Sequence, residues 1–92
     1  MTINKLYKII KNRQAKMPKD SYTASLFRAG KEKIISKVKE ETAEVILAAK
    51  KDGKDRVISE TADLCFHILI MLAKLGIKPK EILDELEKRN NK

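Results

Sequence analysis

The stretch that decides the fold is residues 31–75, KEKIISKVKEETAEVILAAKKDGKDRVISETADLCFHILIMLAKL. Its apolar residues recur at helical spacing on both sides of Asp52-Gly53, a dipeptide typical of a tight turn. This pattern predicts two long helices, from about Lys31 to Lys50 and from about Lys54 to Leu75, with Gly76 just past the second. A short connection makes consecutive helices neighbours in space, so we expect an antiparallel helix pair.

Three shorter helices are predicted outside this stretch. The first runs from about Ile3 to Ala15 with Thr2 as its N-terminal cap, and the second runs from Tyr22 to Ala29. Pro79, in a first helical turn, opens the last helix, which continues to about Arg89. No stretch alternates convincingly enough to predict a β-strand. We therefore expect an all-α fold, a helical bundle of four to five helices with the antiparallel pair at its centre.

Length and composition set the scale of this bundle. Ninety-two residues predict one domain over residues 1–92, and aromatic residues are only 4% of the chain, so the core must be aliphatic. So small a chain often completes its core by oligomerising, and we expect a dimer.

The single cysteine, Cys65, cannot form an internal disulfide and is expected to be a small buried hydrophobe. The longest apolar run, Ile68 to Ala73, is too short to span a bilayer, and nothing resembles a signal peptide, so we expect a cytoplasmic protein.

The net charge of +8 is unevenly distributed along the chain. Residues 1–39 carry eleven Lys and Arg against two acids, a net of +9. Residues 40–63 carry seven acids against four bases, a net of −3, and residues 64–92 return to +2. A basic segment beside an acidic cluster suits a polyanion bound through a metal, with cations on its phosphates and carboxylates on the metal. The plainer alternative is that the lysines only solubilise helix surfaces.

Four acidic residues form two matched pairs, Glu41-x-x-Glu44 and Glu60-x-x-Asp63, one pair in each long helix. Residues three apart share one helix face. Glu41 also interrupts a row of otherwise apolar residues that follows one face from Ile34 to Ala48. Packing the two helices together would therefore bring four carboxylates to one point.

Carboxylates on a buried face are unfavourable unless they are paired or bound to a metal. Too few bases occupy neighbouring positions to neutralise four of them, which favours a divalent cation over the alternative, a network of structural salt bridges. An all-oxygen ligand set favours Mg²⁺, with Mn²⁺ second, over Zn²⁺. Glu40 is a further acid beside the first pair. His67 has two interpretations that stay open: a group that orients an acid or exchanges a proton, or a satisfied core histidine.

Three segments of the chain resemble one enzyme family. These are Ser21–Leu26 (SYTASL), Lys37–Glu44 (KVKEETAE) and Glu60–His67 (ETADLCFH), and the similarity extends from Leu6 to about Arg89. They are similar to the phosphoribosyl-ATP pyrophosphohydrolases of histidine biosynthesis, which belong to the all-α nucleotide pyrophosphohydrolase superfamily. The resemblance implies Mg²⁺-dependent cleavage of the α–β phosphoanhydride of phosphoribosyl-ATP, with release of pyrophosphate and phosphoribosyl-AMP, by a homodimer or higher homo-oligomer.

The resemblance also implies roles for individual residues. The implied metal ligands are Glu41, Glu44, Glu60 and Asp63, the implied secondary acid is Glu40, and Lys37 is a candidate phosphate contact. Beyond the resemblance, we expect Glu41 or Glu44 to accept a proton from the attacking water. Ser21 and Thr23 are further candidate phosphate contacts, and His67 is a candidate for a group behind the ligands. One departure is Lys39, which stands where the family usually has glycine before the paired glutamates.

Two other functions are compatible with parts of the sequence. A sister enzyme that clears non-standard or excess nucleoside triphosphates would share the four acids, but not the Ser21–Leu26 segment. A basic helical nucleic-acid-binding module would explain the charge of residues 1–39 but leaves the acidic pairs without a purpose. We therefore expect a small-molecule substrate, no nucleic-acid partner and no membrane association.

Overall fold

The computed structural model describes residues 1–90, and within them it contains five α-helices and no strand, which confirms the all-α prediction. The helices are α1 (Ile3–Lys16), α2 (Tyr22–Ala29), α3 (Lys31–Lys51), α4 (Lys54–Lys74) and α5 (Pro79–Arg89). Every predicted boundary lies within one residue of the observed one. The most extensive packing in the molecule is between α3 and α4, the predicted antiparallel pair.

Local chemistry accounts for where these helices begin and end. The Thr2 hydroxyl accepts a hydrogen bond of 3.1 Å from the backbone N–H of Lys5, which confirms Thr2 as the cap of α1. A single residue, Gly30, separates α2 from α3, with φ 103° and ψ 176°. Only glycine adopts this region readily, so this sharp turn between two helices depends on it. Gly76 follows α4 with φ 72°, as predicted for a residue past a helix C-terminus.

The core is aliphatic except for Phe27, close to what the composition predicts, and it lies where α1, α2 and the start of α3 meet the C-terminal half of α4. Its buried members are Ile10, Leu26, Phe27, Ile34, Leu69, Ile70, Leu72 and Ala73. This core holds the last turns of α4 in place against α1 and α2. The acidic residues of α3 and α4 lie beyond it, toward the middle of the helix pair.

Helix α4 is exposed on one face in its N-terminal half, whereas residues 66–73 are all buried or half-buried. Cys65 was expected to be a small buried hydrophobe, and this expectation is wrong because Cys65 is exposed. Ile58 lies two turns before Cys65 on the same face of α4 and is 57% exposed. No helix within residues 1–90 is long and apolar enough to cross a membrane.

Candidate metal centre

Helices α3 and α4 bring three predicted ligands together. Glu41 from α3 and Glu60 and Asp63 from α4 each offer a carboxylate oxygen, and these oxygens lie within 4.8 Å of one another. The antiparallel packing makes this possible, because the middle of α3 faces the first turns of α4. Glu60 is 8% exposed, whereas Asp63 is exposed, so the group opens to solvent on the side of Asp63.

Lys37 neutralises part of the α3 side of this group. Its ammonium lies 3.2 Å from one carboxylate oxygen of Glu40 and 3.7 Å from Oε1 of Glu41. Burial lowers the pKa of Lys37, but the hydrogen bond to Glu40 and the charges of Glu40 and Glu41 outweigh it, so the pKa is raised. Lys37 therefore stays protonated beside the acids, where its positive charge can bind a phosphate group.

Arg56 neutralises part of the α4 side of this group by pairing with Glu60. Its Nη1 atom lies 3.1 Å from Oε1 of Glu60, whose side chain is 10% exposed. The other end of the guanidinium reaches Asp52, with Nε 4.0 Å from Oδ2. No salt bridge to Asp63 exists within residues 1–90. The three clustered carboxylates thus have two cations between them, one of which is shared with Glu40.

The spacing of the three oxygens suits one divalent cation. Mg²⁺ binds oxygen at about 2.1 Å, so two ligand oxygens on opposite sides of it lie about 4.2 Å apart. No two of the three oxygens lie farther apart than 4.8 Å, so small side-chain rotations would close the group around an ion. Glu44, the fourth predicted ligand, is half-buried one turn further along α3 and lies outside the group of three.

His67 is buried beneath this centre and connects α4 to α2. The histidine is 5% exposed. Its Nδ1 atom lies 2.7 Å from the backbone carbonyl oxygen of Asp63, and its Nε2 atom lies 2.8 Å from the Tyr22 hydroxyl. The rings of Tyr22 and His67 meet edge to face, with centroids 5.8 Å apart. Both ring nitrogens have partners, as in a satisfied core histidine, yet one partner is the backbone of a predicted metal ligand.

Tyr22 lies near the acids through its contact with His67, although no role was predicted for it. Burial raises the pKa of its hydroxyl, and Lys37 lowers it while Glu41, Glu40 and Asp63 raise it further, with a net upward shift. Its two neighbours, Ser21 and Thr23, were the predicted phosphate contacts instead. Tyr22 and His67 are 45 residues apart, and no local spacing indicates that they pair.

The two neighbours, Ser21 and Thr23, have clear structural surroundings. The Ser21 hydroxyl accepts a hydrogen bond of 3.1 Å from the backbone N–H of Ala24 and caps α2. It keeps its own proton for a further acceptor. Thr23 is 8% exposed. Their roles as phosphate contacts stay predictions. Lys39, at the position where the family usually has glycine, is exposed on α3.

Comparisons with known proteins agree on one family. The family model described as phosphoribosyl-ATP pyrophosphohydrolase matches residues 3–90. A phosphoribosyl-ATP pyrophosphatase of Pelotomaculum thermopropionicum is 46% identical over 98% of this chain and 92% of the relative. Proteins of the same description from Metallosphaera sedula and Lactiplantibacillus plantarum are each 47% identical, over 95% and 98% of this chain and 94% and 85% of the relatives.

Proposed function

Because the chain belongs to the phosphoribosyl-ATP pyrophosphohydrolase family, we propose that it hydrolyses phosphoribosyl-ATP to phosphoribosyl-AMP and pyrophosphate, an early step of histidine biosynthesis. The observation that carries this proposal is the group of three carboxylate oxygens between α3 and α4, beside the cation of Lys37. Cleavage of a phosphoanhydride requires cations beside the phosphate oxygens and an acceptor for a proton of the attacking water. The centre offers residues for both.

Glu41, Glu60 and Asp63 are the residues that we propose hold Mg²⁺, with Mn²⁺ as the alternative. The bound cation would neutralise phosphate oxygens and stabilise charge on the pyrophosphate leaving group. The donor set supports this choice, since it consists of carboxylates from two helices and contains no thiol or imidazole.

The remaining charged residues have separate tasks in this proposal. Lys37 has a raised pKa and contacts the oxygens of the phosphate chain as a cation. Glu44 lies outside the three-oxygen group, so it is the carboxylate most available to accept the proton of the attacking water. Glu40, with its side chain 57% exposed, holds Lys37 in place until substrate arrives.

The test is a pyrophosphate-release assay with Mg²⁺ present and absent, comparing phosphoribosyl-ATP with deoxynucleoside triphosphates. We expect phosphoribosyl-ATP to be turned over with a kcat/KM at least a hundredfold higher, and EDTA to abolish the reaction. Preference for deoxynucleoside triphosphates would identify the sister enzyme that clears unwanted nucleotides. Salt-sensitive binding to DNA or RNA without hydrolysis would instead favour a nucleic-acid-binding module.

We also propose that the working enzyme is a homodimer or a higher homo-oligomer of a single-domain chain. Exposed apolar surface supports this, above all an apolar groove of about 430 Å³ between α1, α4 and α5. Cys65 lines this groove together with Leu83, which is 61% exposed. A second copy would bury Ile58 and Cys65 of α4, which a single chain leaves exposed. The ATP-derived substrate supports a cytoplasmic location.

A further inference from the structure

Three groups from two helices form an unbroken hydrogen-bonded chain beneath the acidic centre. The chain runs from the backbone carbonyl of Asp63 through both ring nitrogens of His67 to the Tyr22 hydroxyl, with contacts of 2.7 Å and 2.8 Å. His67 is 5% exposed, and the edge-to-face packing of Phe66, with centroids 5.5 Å apart, confines its ring on a second side. The imidazole is therefore held in one orientation.

The direction of each hydrogen bond in this chain follows from the chemistry of its ends. A backbone carbonyl oxygen can only accept, so Nδ1 of His67 carries the proton of the neutral imidazole. Nε2 then has a lone pair and no proton, and it must accept from the hydroxyl of Tyr22. That bond uses the only proton of the phenol. The Tyr22 oxygen is left as an acceptor and cannot donate to a phosphate oxygen.

This acceptor lies near the reacting groups. Two hydrogen bonds through one imidazole ring join the Tyr22 hydroxyl to the backbone of Asp63, a member of the three-oxygen group, so the hydroxyl lies close to that group. Tyr22 is 50% exposed, so water has access to the residue. At a hydrolytic centre, the water molecule that attacks the substrate is a donor that such an oriented acceptor can hold in place.

We propose that Tyr22, oriented by His67, positions the attacking water by accepting one of its hydrogen bonds. This inference rests on the proposed hydrolysis of phosphoribosyl-ATP. With one O–H directed at Tyr22, the second proton of the water is free to move to the accepting carboxylate. The water oxygen forms the new P–O bond as the bond to pyrophosphate breaks, and Tyr22 gains and loses no proton. Tyr22 is thus a positioning residue, and His67 acts through it.

The decisive variant is Tyr22→Phe, which keeps the ring and removes only the hydroxyl. We expect kcat to fall about tenfold, the equivalent of one hydrogen bond, because misplaced water reacts more slowly. KM should stay within twofold of the value for the unmodified chain, and the rise in melting temperature that Mg²⁺ causes should stay within about 1 °C. Neither substrate nor metal contacts this oxygen. Tyr7→Phe is the matched control, because it removes the chain's other phenolic hydroxyl, which binds the Ile77 carbonyl.

A double-variant cycle separates positioning from simple packing. His67→Gln offers an amide oxygen to the Tyr22 hydroxyl and should lower kcat less than Tyr22→Phe does. In the Tyr22→Phe background it should cause no further loss of kcat, since its effect passes through Tyr22. Additive losses of kcat would mean that His67 acts independently of Tyr22 and would overturn the pairing. A kcat for Tyr22→Phe within twofold of the unmodified chain, or a change in KM alone, would overturn the positioning role.

A spectroscopic readout works without turnover and separates this inference from the proposed function. The chain has two tyrosines and no tryptophan, so in Tyr7→Phe the fluorescence comes from Tyr22 alone. Its hydrogen bond to an imidazole acceptor should quench that emission, and His67→Phe in this background should restore it. Unchanged emission would contradict the Tyr22–His67 pair. An unmodified chain that releases no pyrophosphate from phosphoribosyl-ATP would overturn the proposed function itself, whatever the emission shows.

Discussion

Arg56 holds Glu60 from the same helix, with Nη1 3.1 Å from Oε1 of a carboxylate that is only 10% exposed. The pair joins residues one turn apart on α4, and its cationic end is 55% exposed while its anionic end is buried. The buried carboxylate thus has a partner before any metal binds. A divalent cation at the centre must therefore either displace the guanidinium or bind beside its positive charge.

Replacing this guanidinium should act oppositely on stability and on metal affinity. We expect Arg56→Gln to lower the free energy of unfolding of the metal-free protein by about 1–2 kcal/mol, since Glu60 is left buried and unpaired. The same variant should bind Mg²⁺ several-fold more tightly, because the competing charge is gone. Chemical denaturation with EDTA and calorimetric titration with Mg²⁺ measure the two effects.

Arg89 provides the matched control for that experiment. It makes the same i,i+4 contact, with Nε 3.0 Å from Oε2 of Glu85, but both side chains are more than half exposed. Arg89→Gln should change stability by less than about 0.5 kcal/mol and leave Mg²⁺ binding unaltered. Equal destabilisation by the two variants would mean that the burial of Glu60 has no energetic consequence.

Metal binding should stabilise the folded chain through the clustered carboxylates. Mg²⁺ at a hundred times its dissociation constant adds about 2.7 kcal/mol to the free energy of unfolding, so the melting temperature should rise by several degrees. Asp63→Asn removes a charged ligand of the group and should abolish most of this rise, together with activity. Glu87→Gln, an exposed acid on α5, makes the same change of charge and should leave both intact. A rise that persists in Asp63→Asn would exclude that residue as a ligand.

The exposed face of α4 that carries Ile58 and Cys65 should mediate self-association. Ile58 is 57% exposed in the single chain, so Ile58→Glu should cost little in one copy but place a charge inside an interface between two. Sedimentation or light scattering should then report a mass near 10.5 kDa for the variant and at least twice that for the unmodified chain. Ser59→Glu, at the adjacent exposed position, controls for added charge. A variant of unchanged mass would place the interface elsewhere.

Alkaline pH should remove the contribution of Tyr7 to stability. The Tyr7 hydroxyl donates a hydrogen bond of 2.8 Å to the backbone carbonyl of Ile77, and burial, followed by the charge of Glu81, raises its pKa. The fold thus favours the protonated phenol. The resulting stability is fully present below pH 10 and is lost as pH rises through the raised pKa.

Comparison of the unmodified chain with Tyr7→Phe isolates that contribution. Below pH 9 the variant should be less stable by about 1 kcal/mol, the value of one hydrogen bond. The difference should shrink and then reverse above pH 10, since only the unmodified chain must deprotonate a phenol in a site that disfavours the charge. Urea denaturation at pH 7 and above pH 10 gives both values, and a difference that does not depend on pH would contradict the assignment.

Lys39 should affect the helix more than the chemistry. It is exposed in the interior of α3 and makes no salt bridge within residues 1–90. Lys39→Gly, which restores the residue usual in the family, should lower the free energy of unfolding by about 1 kcal/mol, because glycine is a poor helix former. Lys39→Ala should not, and both should keep kcat/KM within about threefold. A tenfold change in kcat/KM in both would make Lys39 part of the site.

Local signals were enough to predict the helices and the identity of the acids. Asp52-Gly53 and the two flanking apolar patterns predict α3 and α4 within a residue, because caps, turns and helical periodicity are properties of short segments. The same periodicity places Glu41 on an otherwise apolar face. The exposure of Cys65 was mispredicted for the converse reason, since a helix apolar all round is buried only if enough neighbours exist to surround it.

The all-α fold and the two acidic pairs can be predicted from the sequence, since both depend on residues three to four apart. Which acids meet cannot, because the packing of α3 on α4 sets distances between residues far apart in the chain. It brings Glu41 to Glu60 and Asp63 and leaves Glu44 outside the group of three. It also joins Tyr22 to His67 across 45 residues, a contact that no spacing along the chain encodes.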